Sequence, residues 1–232
     1  MLRNIMIFGI GFLIGLISHN TLIDKSHATT PIVNKTVVYG IDLSDDALVV
    51  KAKSTWLKRL GKYLAKDIKV QPYFTRVVAT TFGDFDFSND HIIVPEITIT
   101  ARKRATKPAK QIYKFMRQLP TKFGDEDIVP EKETRILDYI RNQASIYGCK
   151  NTTILVVTDG VHFAAGGSNI LEMTSRSNSY FPAMKQELDG CGVHMVGFGM
   201  GQRPIIVREM TRIWSDWAKR SGVQLQIIRA IN

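Results

Sequence analysis

The chain has 232 residues, 44% of them hydrophobic and 22% charged, with a formal net charge of +10. This composition excludes a disordered protein, and the roughly 200 residues beyond the N-terminus suit one domain with a full hydrophobic core.

In chain order, Arg3 precedes an apolar run over residues 5–17, which ends in polar Ser18, His19, Asn20 and Thr21. Thirteen apolar residues are short for a spanning helix and resemble the core of a signal peptide. Residues 1–21 are therefore read as a signal peptide or an N-terminal membrane anchor. Ser26 and Ala28 offer small residues for cleavage, whereas their distance from the apolar run favours an uncleaved anchor. In both cases Arg3 predicts a cytoplasmic N-terminus and an exported body, on the periplasmic or extracellular face. Residues 22–35 form a polar linker, and residues 36–232 form the domain.

Within the domain, strand and helix patterns alternate. Strands are predicted at 36–41, 75–82, 92–100, 152–158, 193–198 and 223–228. Helices are predicted at 47–64, 107–119, 132–146, 182–188 and 205–220. Pro95 places the third strand at a sheet edge. Such alternation predicts an α/β fold: a doubly wound, mostly parallel six-stranded sheet with helices on both faces. Cys149 and Cys191 each stand just before a predicted strand. If those strands are parallel neighbours, a disulfide between the two is feasible in an oxidising compartment. The alternative is two unrelated buried thiols. No Cys-x-x-Cys is present, which argues against redox catalysis and zinc.

Two apolar strands end in acids. One runs through Ile41 into Asp42, Leu43, Ser44, Asp45 and Asp46; the other runs through Val157 and Thr158 into Asp159 and Gly160. In open α/β sheets, ligands bind beyond the carboxyl ends of the strands, and carboxylates gathered there suit a hard cation.

With these loops the chain resembles a von Willebrand factor A-type domain over about residues 36–230. The resemblance implies a metal-ion-dependent adhesion site built from an Asp-x-Ser-x-Ser loop, a later Thr and an Asp following an apolar strand. Asp42 and Ser44 match the first loop, with Asp46 in the place of the second Ser. Asp159 matches the last loop. The nearest match to the middle loop is Gly124 to Ile128, which puts Glu126 in the Thr place; Thr121 is the alternative. The implied ligands are Asp42, Ser44, Asp46, Glu126 and Asp159, and the implied ion is Mg²⁺. Extra carboxylates at positions 46 and 126 would weaken the ion's pull on an acidic partner or shift its preference to Ca²⁺. Alternatively, Asp46 is the cap of the following helix and the site holds no metal.

Arg102, Lys103, Arg104, Lys107, Lys110, Lys114, Arg117 and Lys122 form a segment without an acid. Two readings stand: an electrostatic contact with an anionic lipid, polymer or nucleic acid, or a solvated helix face whose Ile112, Phe115, Met116 and Leu119 pack on the sheet. For an exported body, nucleic acid is the least expected of these. His162 and the turn of Gly199, Met200 and Gly201 lie near the acidic loops and read as ordinary structural elements.

The expected function is an exported or envelope-associated module that binds another protein through the loops at the top of the sheet. One alternative is a metal-dependent phosphoesterase using Asp42, Asp46, Asp84, Glu126 and Asp159. Another is a scaffold with a degenerate, metal-free site. No catalytic residue is assigned; no Walker A motif, Gly-x-Ser-x-Gly or paired-His metal motif occurs.

Overall fold

A computed structural model describes residues 32–44, 47–83, 91–124, 128, 133–162 and 181–229. The apolar run over residues 5–17, most of the linker, and Asp46, Asp84 and Glu126 lie outside the described residues.

The central strand β1 (Lys35–Asp42) is buried along nearly its whole length, as expected for a strand covered on both faces. Its pleat sends Val37, Tyr39 and Ile41 into one core and Val38 into another. Parallel partners flank it: β2 (Thr75–Phe82) on one side and β4 (Thr152–Val157) on the other. Beyond β4 come β5 (Gly192–Val196) and β6 (Gln224–Ile228), also parallel. β3 (Ile92–Thr98) pairs antiparallel with β2 at the opposite edge, and it carries Pro95 where no second neighbour needs an N–H. The order is β3-β2-β1-β4-β5-β6. The chain winds outward from β1 in both directions, so the switch point of the sheet lies between β1 and β4.

Helices α1 (Leu48–Lys51), α2 (Ser54–Val70) and α3 (Thr106–Gly124) cover one face. Helices α4 (Ile136–Tyr147), α5 (Lys185–Leu188) and α6 (Pro204–Ser221) cover the other. One helix expected over 47–64 is instead two. Ala52 and Lys53 adopt extended backbone angles and separate α1 from α2, which lets Ala47 and Val49 turn into the core while α2 restarts on its own apolar stripe. Helix α4 also starts later than expected, because Arg135 is non-helical at φ −96°, ψ 62°. Among the described residues, no helix is long and apolar enough to cross a membrane.

Two features fix the second layer. Gly40 lies beneath Tyr139 of α4, and a Cβ there would come 2.4 Å from the phenol ring. Tyr139 stacks on Phe82 with ring centroids 4.4 Å apart, and its hydroxyl is 2.9 Å from that of Thr80. At the other end of the sheet, Cys149 and Cys191 precede the neighbouring strands β4 and β5 and form a disulfide.

Candidate functional site

The site lies where β1 and β4 end. β1 delivers Asp42 and, one turn on, Ser44; β4 is followed by Thr158 and Asp159. All four are buried. Asp42 Oδ1 accepts hydrogen bonds from the Ser44 backbone N–H at 3.0 Å and from the Ser44 hydroxyl at 2.8 Å. Asp42 Oδ2 accepts the Thr158 hydroxyl at 2.9 Å. Asp42 thereby ties the two strand ends together.

A further hydroxyl completes the group. Thr134, in the segment leading into α4 and also buried, donates to the Ser44 hydroxyl. Its neighbours hold it in place. Arg135 pairs with Glu133 at 2.6 Å and with Asp138 at 3.3 Å, and the Arg135 N–H donates to the Gly83 carbonyl after β2. Thr134, Ser44 and Asp42 thus form a relay of hydroxyls ending on a carboxylate.

Asp159 is oriented from its far side. Its Oδ1 accepts the Val161 N–H at 2.9 Å, and its Oδ2 accepts the Gln202 amide at 3.4 Å. Its carbonyl accepts the N–H of Gly199, in the turn after β5. Gly199 has φ +74° and is packed so closely that a Cβ would lie 2.8 Å from Val207; only glycine fits there without strain. The turn of Gly199, Met200 and Gly201 therefore positions Asp159. Gly160 is equally constrained, with φ +87° and Phe198 2.3 Å from where a Cβ would be. Its carbonyl accepts the Trp214 indole N–H at 2.9 Å.

Burial pushes the Asp42 carboxyl up to about 7, and the nearby charge of Asp159 acts in the same direction; hydrogen bonds from Ser44 and Thr158 oppose the rise. His162 is buried between the Thr134 backbone and the edge of Phe181. Burial pushes it down to about 4, so it is a neutral packing group beside the site.

Of the residues expected from sequence, the structure brings Asp42, Ser44 and Asp159 to one place. Thr121 lies exposed in the last turn of α3. Asp46 and Glu126 lie outside the described residues. Thr134 and Thr158 are additional members of the cluster. The signal for Thr134 was the sequence Thr134, Arg135, Ile136, Leu137: a lone hydroxyl directly before the apolar stripe of a helix. Among the described residues, no group of three or more His, Cys, Asp or Glu side chains comes together. The donor set is two carboxylates with hydroxyls. Oxygen donors of this kind fit a hard divalent cation such as Mg²⁺ or Ca²⁺ and not a soft one.

A doubly wound sheet with one antiparallel edge, and an aspartate at the ends of both β1 and β4, is the arrangement implied by the loop motifs. This strand order agrees with the von Willebrand A-type resemblance of the sequence. No family model and no curated protein matches the chain. Among solved structures, the chain is similar to the PilB minor pilin from Streptococcus sanguinis, with a TM-score of 0.47 and 14% identity over 88% of this chain and 58% of that one. It is similar to an aerotolerance-related membrane protein from Bacteroides fragilis, with a TM-score of 0.44 and 18% identity over 85% of this chain and 92% of that one. A von Willebrand factor type A protein from Catenulispora acidiphila gives 0.43 and 13%, over 85% of this chain and 39% of that one. The chain thus spans less than two thirds of two of these three proteins.

Proposed function

We propose that the protein is an exported, envelope-associated binding module that holds a divalent cation at the β1 and β4 ends and uses it to recognise a carboxylate on a partner protein. The observation that carries this reading is the relay from Thr134 through Ser44 to Asp42, buried at the switch point and facing Asp159. The charge of Asp159 adds to burial in raising the proton affinity of Asp42, so a positive charge or a proton beside Asp42 is favoured. Asp42, Ser44, Thr134 and Asp159 would hold the ion, with Thr158 keeping Asp42 in place. When bound, the ion supplies a Lewis-acidic position for an incoming carboxylate oxygen. The neutral hydroxyls of Ser44 and Thr134 contribute oxygen without adding negative charge, so the residues leave coordination free for a partner.

Thermal unfolding with Mg²⁺ and Ca²⁺ titration tests this reading. At 100-fold excess over the dissociation constant, a bound ion stabilises the wild type by about 2.7 kcal/mol. Asp42→Asn and Asp159→Asn are expected to abolish that gain. Thr134→Val is expected to halve it or more, while costing about 1 kcal/mol of ion-free stability through the lost hydroxyl bond. An unshifted wild type, or an equal shift in Asp42→Asn, would refute cation binding at this site.

A further inference from the structure

The end of the sheet opposite the cation site has a character of its own. There the chain enters β1, α2 ends, and the turn between β3 and α3 lies. Backbone hydrogen bonds join the three: Asn34 N–H donates to Phe74 O, Phe74 N–H to Ile99 O, and Thr100 N–H to Lys103 O. Large apolar side chains are exposed here. Ile32 is 79% exposed, Val70 68%, Tyr73 61% and Phe74 44%. With Ile146 in the last turn of α4, this end carries five of the seven large exposed hydrophobic residues among the described residues. Phe74 is held at φ +65°, a conformation rare for an aromatic residue, and it is partly exposed.

Cations surround this apolar rim. Arg102, Lys103 and Arg104 project from the turn, Lys107 from the first turn of α3, and Lys66 and Lys69 from the last turns of α2; all six are exposed. Lys62, Lys66, Lys69 and Lys110 line one cavity of about 280 Å³ with Tyr113, so the basic segment of α3 and the cations of α2 form a single surface. A second cavity, of about 620 Å³, is lined by Lys35, Arg76 and Lys150; there Arg76 pairs with Glu96 at 3.1 Å and Lys35 donates to the Gln71 side chain at 3.0 Å.

We infer that this end of the domain docks on an anionic bilayer, with Val70, Tyr73 and Phe74 in the interfacial layer and the surrounding cations on lipid phosphates. Exposed aromatic and aliphatic side chains ringed by Lys and Arg match the headgroup boundary, where amphipathic rings partition and cations meet anionic lipid. A nucleic acid would use the cations but gives no place for Ile32 and Val70. Ile32, from which the sequence leads back to the apolar run over residues 5–17, lies at this end. The surface is remote from the cation site and does not depend on it.

The test uses the full chain bearing an environment-sensitive fluorophore at Tyr73→Cys or, as a control at the other end, at Ile205→Cys. Each is mixed with vesicles of phosphatidylcholine alone or with 30% phosphatidylglycerol, containing nitroxide-labelled lipid. The label at position 73 is expected to be quenched on the anionic vesicles, and to be released by 0.5 M salt. The label at position 205 is expected to stay unquenched on both. Arg102→Glu/Lys103→Glu/Arg104→Glu is expected to weaken vesicle docking at position 73 by at least about 100-fold, at roughly fivefold per cation. Equal quenching at positions 73 and 205 would overturn the inference. So would quenching at 73 that is indifferent to lipid charge, or duplex DNA binding by the same cations without quenching on vesicles. Comparing salt and lipid composition in the wild type keeps the test valid should the triple variant misfold.

Discussion

Asp42 and His162 are both buried ionisable groups, and burial moves them in opposite directions. His162 falls from 6.5 to about 4, so between those values the unfolded chain binds the extra proton. Its contribution is complete above pH 6.5 and is lost as pH falls towards 4. Asp42 rises from 3.8 to about 7, so between those values the folded chain holds the extra proton. Its contribution is complete below pH 3.8 and is lost as pH rises through 7. The two slopes oppose one another between pH 4 and 6.5. In chelator, denaturant midpoints of His162→Phe are expected to fall more steeply with rising pH than the wild type's. Those of Asp42→Asn are expected to rise more steeply over the same range. If both variants kept the wild-type slope, neither group would titrate as its burial requires. The same residues show what the sequence made legible at the site. Asp42, Ser44 and Asp159 stand at the ends of apolar runs, where strand periodicity locates them. Thr134 does not, because Lys132 and Glu133 are good helix formers and extend the apparent helix across it. In the fold, Arg135 leaves the helical region and its N–H bonds the distant Gly83 carbonyl, while its side chain pairs locally with Glu133 and Asp138.

At the scale of elements, the sheet was the most legible part. β2 has the expected bounds, and β1, β4 and β6 differ from theirs by a residue at one end or both, because buried parallel strands are continuous apolar runs between turns. Helix limits were less so. The extended pair Ala52 and Lys53 carries no glycine or proline to announce it, and α3 continues past Leu119 to Gly124 despite Pro120. The disulfide links elements in a way that sequence alone left open: Cys149 and Cys191 meet because β4 and β5 are neighbours. The bond closes a loop with a separation of 42 residues, for which chain entropy predicts about 4 kcal/mol, and native strain commonly reduces that value. Urea unfolding of Cys149→Ser/Cys191→Ser is expected to show a loss of about 2–4 kcal/mol. Wild type in reductant should match it. A loss confined to the variant would mean that the serines, and not the missing bond, destabilise the fold.

Across the whole molecule, the Asp42 and Asp159 cluster and the basic, apolar-rimmed end lie at opposite ends of the strands. β1 has eight residues, or about 26 Å at strand rise, well beyond the screening length of about 8 Å at physiological salt. Salt in the surrounding water therefore screens the exposed cations of one end from the other. Reversing Arg102, Lys103 and Arg104 to Glu is expected to leave the midpoint of a Mg²⁺ titration within twofold of wild type at 150 mM salt. A larger change would show coupling through the fold.

The seat of Tyr139 on Gly40 bears on the placement of Thr134. Thr134 lies at the head of α4, and Tyr139, little more than one turn along, is keyed into the sheet by the glycine below it, by Phe82 and by Thr80. A helix keyed in this way cannot slide along its axis like a piston without driving a phenol ring into the strand backbone. Thr134 is thereby set at a fixed height above Ser44 before any partner arrives. The depth of the Tyr139 seat thus sets where the Thr134 hydroxyl stands over the strand ends.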